Sequence, residues 1–138
     1  MEIINIYIKN MTGYFGHIEE ETIKNENFRK VLYTGKHAQL VLMSLLPGEE
    51  IGMEVHENVD QFFRFEVGEG KAILNGEEIL FKDGDVVIVP AGTDHNIINT
   101  SATDKLKLYT VYSPANHPEG TVHATKAEAE AAELAEHS

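Results

Sequence analysis

The stretch GDVVIVPAGTDHNIIN, residues 84–99, decides how this chain folds. It leaves the turn Lys82-Asp83-Gly84-Asp85, runs through a short β-branched segment and stops at Pro90, which has no N–H to give to a strand ladder. The Pro-Ala-Gly-Thr turn then starts a second extended segment at His95. The same grammar continues on both sides. QLVLMSLL (39–46) breaks at Pro47-Gly48, and QFFRFEVGEG (61–70) closes on glycines. KAILNGEEILF (71–81) carries Asn75-Gly76 between two apolar halves, the composition of a type I′ hairpin, and LKLYTVYS (106–113) is a last strand. Short strands with a turn about every ten residues, and almost no helix among them, predict an all-β sandwich or closed barrel.

Outside this core the pattern weakens. Residues 1–38 read as an irregular lead-in, with a β-branched segment at Ile3–Ile8 that has no partner in the core set and is expected to pair with a neighbouring subunit. VVIVP is expected to be a buried strand. From Ser113 onward Pro114, Asn116, Pro118 and Gly120 predict an extended exit. The tail ends in helix formers from Lys126 to Glu136, with Leu134 as their only large apolar residue, so a surface helix is the most it can form. The 138 residues suffice for one domain, with a core barrel over about 39–113 and a tail over 114–138.

Bulk chemistry excludes several functions. No cysteine is present, which removes thiolate chemistry and fits a reducing compartment. A formal net charge of -12 repels phosphate backbones, so nucleic acid is not an expected partner. The apolar runs are too short to span a bilayer, and a cytoplasmic protein without membrane partners is expected.

Four residues can carry metal chemistry. Glu54 and His56, at i and i+2 of an extended segment, project to one face, and Gln61 opens the next strand beyond a short loop. His95 opens another strand far along the chain. Two imidazoles, a carboxylate and an amide oxygen can close around a divalent ion. Asp60 competes with Gln61, and Glu50, just after Pro47-Gly48, is expected to be exposed. Alternation places Phe63, Phe65 and Val67 on the ligand side, with Phe62, Arg64 and Glu66 opposite; Ile97 and Asn99 share the face of His95. Leu106, Leu108, Thr110 and Tyr112 should face inward, Tyr112 offering a phenol near the site, while Lys105 and Lys107 should face water. His117 and His123 fall in the exit segment as loop residues. Gly68-Glu69-Gly70 is no phosphate loop, because no helix follows it.

The spacing Gly84, Pro90, Gly92, His95, Asn99 resembles the second cupin motif throughout, and Gly48, Glu54, His56, Gln61, Gly68 resembles the first in spacing. The resemblance covers roughly residues 39–113 and implies a double-stranded β-helix, or jelly-roll barrel, with a short C-terminal helical or extended tail. It also implies one divalent metal ion (Fe, Mn, Zn or Ni) on Glu54, His56, Gln61 and His95. Where cupins usually present three histidines and a glutamate, this chain has Glu54 at the first histidine position and Gln61 at the glutamate position. The carboxylate has moved to another corner and the ligand charge is unchanged. Gln61 cannot take a proton, so proton transfer would fall to Glu54, if it is unligated, or to a group beyond the ligands. By resemblance to phosphomannose-isomerase-like cupins, a metal-dependent isomerase or tautomerase acting on a sugar or keto-acid-like small molecule is expected. An Fe(II) dioxygenase and a non-catalytic binding module are the alternatives. A homodimer is also implied.

Overall fold

The computed structural model describes residues 12–137, so the segment Ile3–Ile8 and its expected pairing with a neighbouring subunit lie outside the described residues. In chain order the elements are α1 (Ile18–Lys24), β1 (Arg29–Thr34), β2 (Gln39–Leu45), β3 (Asp60–Val67), β4 (Glu69–Leu74) and β5 (Glu77–Lys82). They continue with β6 (Val86–Val89), β7 (His95–Asn99), β8 (Leu106–Ser113), β9 (Val122–His123) and α2 (Lys126–His137). Asn75 and Gly76 take φ of 47° and 85°, the left-handed pair that a type I′ turn needs, and they fold β5 back on β4. β7 pairs with the other edge of β4, giving the order β5-β4-β7. The remaining strands form a six-stranded sheet, β6-β3-β8-β2-β1-β9, with every pairing antiparallel.

The two sheets face each other across an apolar core. Phe65 of the larger sheet stacks on Phe81 of the smaller at 3.6 Å between ring centroids, and Phe63 lies parallel to Phe65 at 6.2 Å. Leu106, Leu108, Thr110 and Tyr112 all point inward, as alternation along β8 requires, and so do Ile97 and Asn99 on β7. The expected all-β barrel with a short C-terminal helix is the observed architecture. In α2, Ala129 is buried and Leu134 exposed, so the helix rests on the barrel by a narrow contact.

Four local expectations are corrected. Part of the lead-in is ordered: β1 lies between β2 and β9, and α1 packs over the outer face of β8, β3 and β2. That cover explains the second correction. Lys107 is buried rather than solvated, and its ammonium donates to the Asn25 carbonyl and to Glu26 Oε1 at 3.0 Å. Glu26 also pairs with Lys105, and the two ammonium groups push its carboxyl down to about 2. Third, β6 is an edge strand and not fully buried: Val87 and Val89 enter the core, but Val86 and Ile88 are exposed. Val67 departs too, being exposed beyond the register shift that ends β3.

Gly70 is crowded from both neighbouring strands of the small sheet. A Cβ there would stand 2.3 Å from the Ile98 carbonyl oxygen and 2.7 Å from Phe81 Cζ. Both neighbours are fixed, one by the β4–β7 ladder and one by stacking on Phe65. Gly70→Ala is therefore expected to destabilise the fold by about 1–3 kcal/mol or more through overpacking. Urea unfolding of the variant beside the parent checks this, and an unchanged midpoint would contradict the packing described.

Candidate metal centre

The connection between β2 and β3 is fastened to β7 by backbone pairs. Glu54 and His95 exchange both bonds, Glu54 N–H to His95 O and His95 N–H to Glu54 O, each 2.9 Å. Residues paired this way project to the same face, which sets the carboxylate beside the imidazole. His56 follows two positions on, and its carbonyl accepts from Gly92 N–H at 2.9 Å. One ligand atom from each of Glu54, His56 and His95 lies within 4.8 Å of the others. His95 is buried, while Glu54 and His56 keep part of their surface open to solvent.

Each donor is set in a state suited to a cation. His95 Nδ1 stands 2.9 Å from the Thr93 carbonyl, which can only accept. That nitrogen therefore carries the proton and Nε2 keeps its lone pair. Glu54 Oε2 and His56 Nε2 are 3.0 Å apart, yet Nε2 has no aligned hydrogen-bond partner. Neighbouring ligands of a six-coordinate ion with bonds of about 2.1 Å stand about 3.0 Å apart. The spacing of the donor set thus fits a divalent ion. Burial acts to raise the Glu54 carboxyl, but His56, Arg29 and His95 outweigh it, and the group sits below its ordinary value.

Gln61 is buried at the start of β3. Its Nε2 donates to Thr110 Oγ1 at 3.0 Å, which turns a buried, unpartnered Oε1 the other way. Its register partner on β8, Tyr112, presents its ring to the edge of His56 at 5.9 Å. Asp60 is exposed and accepts from Ala91 N–H at 2.8 Å, so it serves the loop. Glu50, half-buried rather than exposed, accepts from Asn96 Nδ2 at 3.3 Å. Asn99 is scaffold as well, donating to the carbonyls of Leu45, Leu46 and Asp104. Phe63 and Phe65 are closed core, 1% and 0% exposed.

Two buried or half-buried polar residues were not legible in the sequence. His117 is folded over the barrel end because Gln39 grips its backbone: Gln39 Nε2 donates to His117 O at 2.8 Å, and Oε1 accepts from His117 N–H at 3.0 Å. Its Nε2 meets the Tyr112 hydroxyl at 3.1 Å. Burial raises the Tyr112 phenol well above its ordinary value and lowers His117 to about 3, so both are neutral at pH 7. The other is Arg29, 2% exposed on β1. Only its alternation with Val31 in FRKVLY hinted that it points inward.

A model of the cupin domain matches residues 41–112, and the chain belongs to the cupin family. It is 52% identical over 124 residues to YrkC of Bacillus subtilis (strain 168), a match covering 85% of this chain and 66% of that protein. The chain thus spans about two thirds of that relative's length. The crystal structure of BH2720 from Bacillus halodurans superimposes with a TM-score of 0.85 at 42% identity, covering 88% of this chain and 96% of that one. A Thermotoga maritima protein described as a predicted oxalate decarboxylase is 30% identical, with a TM-score of 0.53, over 56% of this chain and 66% of its own. Among the described residues no helix is long and apolar enough to cross a membrane.

His117 makes stability depend on pH with a definite sign. In the fold it protonates only near about 3, whereas an unfolded imidazole does so below about 6.5. Between those values the unfolded chain binds more protons, so the contribution is complete above about pH 6.5 and is lost as pH falls toward 3. His117→Gln should flatten the acid side of the stability curve. Urea midpoints at pH 7, 6, 5 and 4 measure it, and an identical acid slope in both proteins would refute the buried neutral state.

Proposed function

We propose that this chain is a divalent-metal-binding cupin and a metal-dependent enzyme that moves a proton on a sugar or keto-acid-like small molecule. The observation that carries this reading is the convergence of Glu54, His56 and His95, buried or half-buried, with one ligand atom of each within 4.8 Å of the others. Gln61 Oε1 is the fourth donor in this reading, replacing the carboxylate usual at that corner without adding charge. Fe(II), Mn(II), Zn(II) and Ni(II) all accept such a nitrogen and oxygen set. A bound ion of this kind supplies Lewis-acid polarisation of a carbonyl or enediol oxygen.

The chain's own residues supply the rest. Glu54, held ionised, spends its charge on the ion. Tyr112 keeps its proton at neutral pH and is the group that donates a proton at the substrate oxygen. His117 is a positioning residue that fixes the phenol through the 3.1 Å contact. The stacked Phe63–Phe65 pair seals the floor and keeps bulk water from the far side of the site.

Elemental analysis of protein purified without chelator, beside three variants, tests the site. His56→Ala and His95→Ala should lose about nine tenths of the metal, and Glu54→Ala less, because a carboxylate corner can be filled by water. Full metal content in the His95 variant rejects the assignment. Proton transfer is read by NMR as solvent deuterium entering the carbon next to a carbonyl, across a panel of keto acids and sugars. Tyr112→Phe should keep its metal and lose at least about a hundredfold in exchange rate. Oxygen uptake without exchange would instead favour a dioxygenase.

A further inference from the structure

The sequence holds two glutamines, and the fold buries both in one inner row of the large sheet. Val89, Gln61, Tyr112 and Gln39 are successive cross-strand partners on β6, β3, β8 and β2. A side-chain amide offers two N–H donors and two carbonyl lone pairs. Gln39 finds partners for all of them within the fold. Its Nε2 donates to Thr34 Oγ1 at 2.9 Å and to His117 O at 2.8 Å, and its Oε1 accepts from Asn116 N–H at 3.1 Å and His117 N–H at 3.0 Å. Gln61 is answered only at its nitrogen end. Its Nε2 donates to Thr110 Oγ1 at 3.0 Å, while Oε1 is buried with no hydrogen-bond partner among the described residues. One glutamine is thus a finished clamp, and the other is anchored with its oxygen free.

Ring contacts tie this anchored amide to the imidazoles. Tyr112, directly opposite Gln61, has its ring 5.9 Å from that of His56. Phe63, two positions on along the same face of β3, has its ring 6.3 Å from that of His95, and the two imidazoles are 5.3 Å apart. Thr110 shares the inward face of β8 with Tyr112 and is paired with Phe63, so its bond to Gln61 crosses between strands diagonally. It is 0% exposed, between inward Leu108 and Tyr112, where a valine would fill the same space without burying a hydroxyl.

We propose that Thr110 is a positioning residue whose hydroxyl holds the nitrogen end of the Gln61 amide, so that Oε1 is presented to the ion on Glu54, His56 and His95. The proposal rests on the metal reading above and deepens it, because it explains how a neutral amide serves at a corner where a carboxylate is usual. A carboxylate is drawn to a cation by its full charge. An amide oxygen carries only a partial charge, so its orientation has to be fixed in advance by the groups behind it. A threonine hydroxyl can donate or accept, and with a cation at Oε1 it accepts from Nε2. That bond polarises the amide and strengthens the oxygen as a donor to the ion.

The test uses the full chain, isotopically labelled in its glutamine side-chain amides, with Zn(II) as the probe. Only two amide pairs then appear by NMR, and Gln39 is the internal reference. Adding Zn(II) to wild type should shift the Gln61 pair and leave the Gln39 pair in place. T110V keeps the shape of the side chain and removes the hydroxyl. It should bind Zn(II) at least about tenfold more weakly, measured by competition with a chelating dye, and should exchange its Gln61 amide protons with water faster by a similar factor. T110A should behave in the same way, and serves if the valine variant does not fold. T110S, which restores the hydroxyl, should return both readings to within about threefold of wild type. Zinc that binds wild type without moving the Gln61 pair overturns the proposal and leaves the three-residue centre standing. Wild-type Zn(II) affinity in T110V overturns it too. A loss of affinity just as large when T110V is added to Q61L would show that Thr110 acts through the barrel and not through Gln61, which also overturns it. Wild type that takes up no metal sinks this proposal and the metal reading together.

Discussion

The reciprocal pair of backbone hydrogen bonds between Glu54 and His95 holds the site together. Without it the stretch between β2 and β3 would be a long loop, free to carry its carboxylate and imidazole away from the barrel. With it, residues far apart in the chain become cross-strand neighbours. Further bonds from the same stretch, Ile51 N–H to Ile97 O and Gly92 N–H to His56 O, each 2.9 Å, continue the fastening on either side. The apolar core beneath holds β7 in place through Ile97, so burial of hydrophobic surface is converted into ligand geometry. Backbone hydrogen bonds add modest net stability, but they are specific in register, and register is what a metal centre needs.

Electrostatics divides the molecule in two. Its surface is acidic, with 23 acidic residues against 11 basic ones. The interior holds a buried arginine, and several imidazoles beside one half-buried carboxylate. Another buried cation, Lys107, is paired with the Glu26 carboxylate and hydrogen-bonded to the Asn25 carbonyl on the outer side of the sheet. The two cations differ in a telling way. The Lys107 ammonium is answered by direct hydrogen bonds, whereas the Arg29 guanidinium lies 5.3 Å from the centre of the Phe28 ring and 3.7 Å from Glu133.

What could be read from the sequence follows from the range of the physics involved. Turns and alternation are local, so the strands of the core, the Asn75-Gly76 hairpin and the inward face of β8 were all legible. His56 and Glu54 could be joined by period-two alternation, and His95 by its place after the Pro90–Thr93 turn. Non-local coverage was not legible. That α1 would shelter Lys107 depends on how residues 18–24 pack on a sheet built from residues more than ten positions later. Arg29 failed for the same reason: in FRKVLY two adjacent cations look like a solvated pair, and only β1's place between β2 and β9 decides which one turns inward. His117 was concealed by side-chain to backbone bonds from Gln39, which have no local signature.

Those two missed residues share a property with the ligands that were found. Every one of them is a polar group that the fold buries at a cost, and natural interiors rarely leave such groups unpaired. A barrel selected for stability alone would place leucine or valine at positions 29 and 61, as it does at the neighbouring inward positions 31, 41 and 45. Replacing a buried ionic group by an apolar one is often neutral or stabilising, so folding does not by itself explain an arginine there. Gln61 Oε1 and His56 Nε2 are buried without a hydrogen-bond partner, and His56 is one of the three converging side chains; the proposed ion would answer both of these atoms at once.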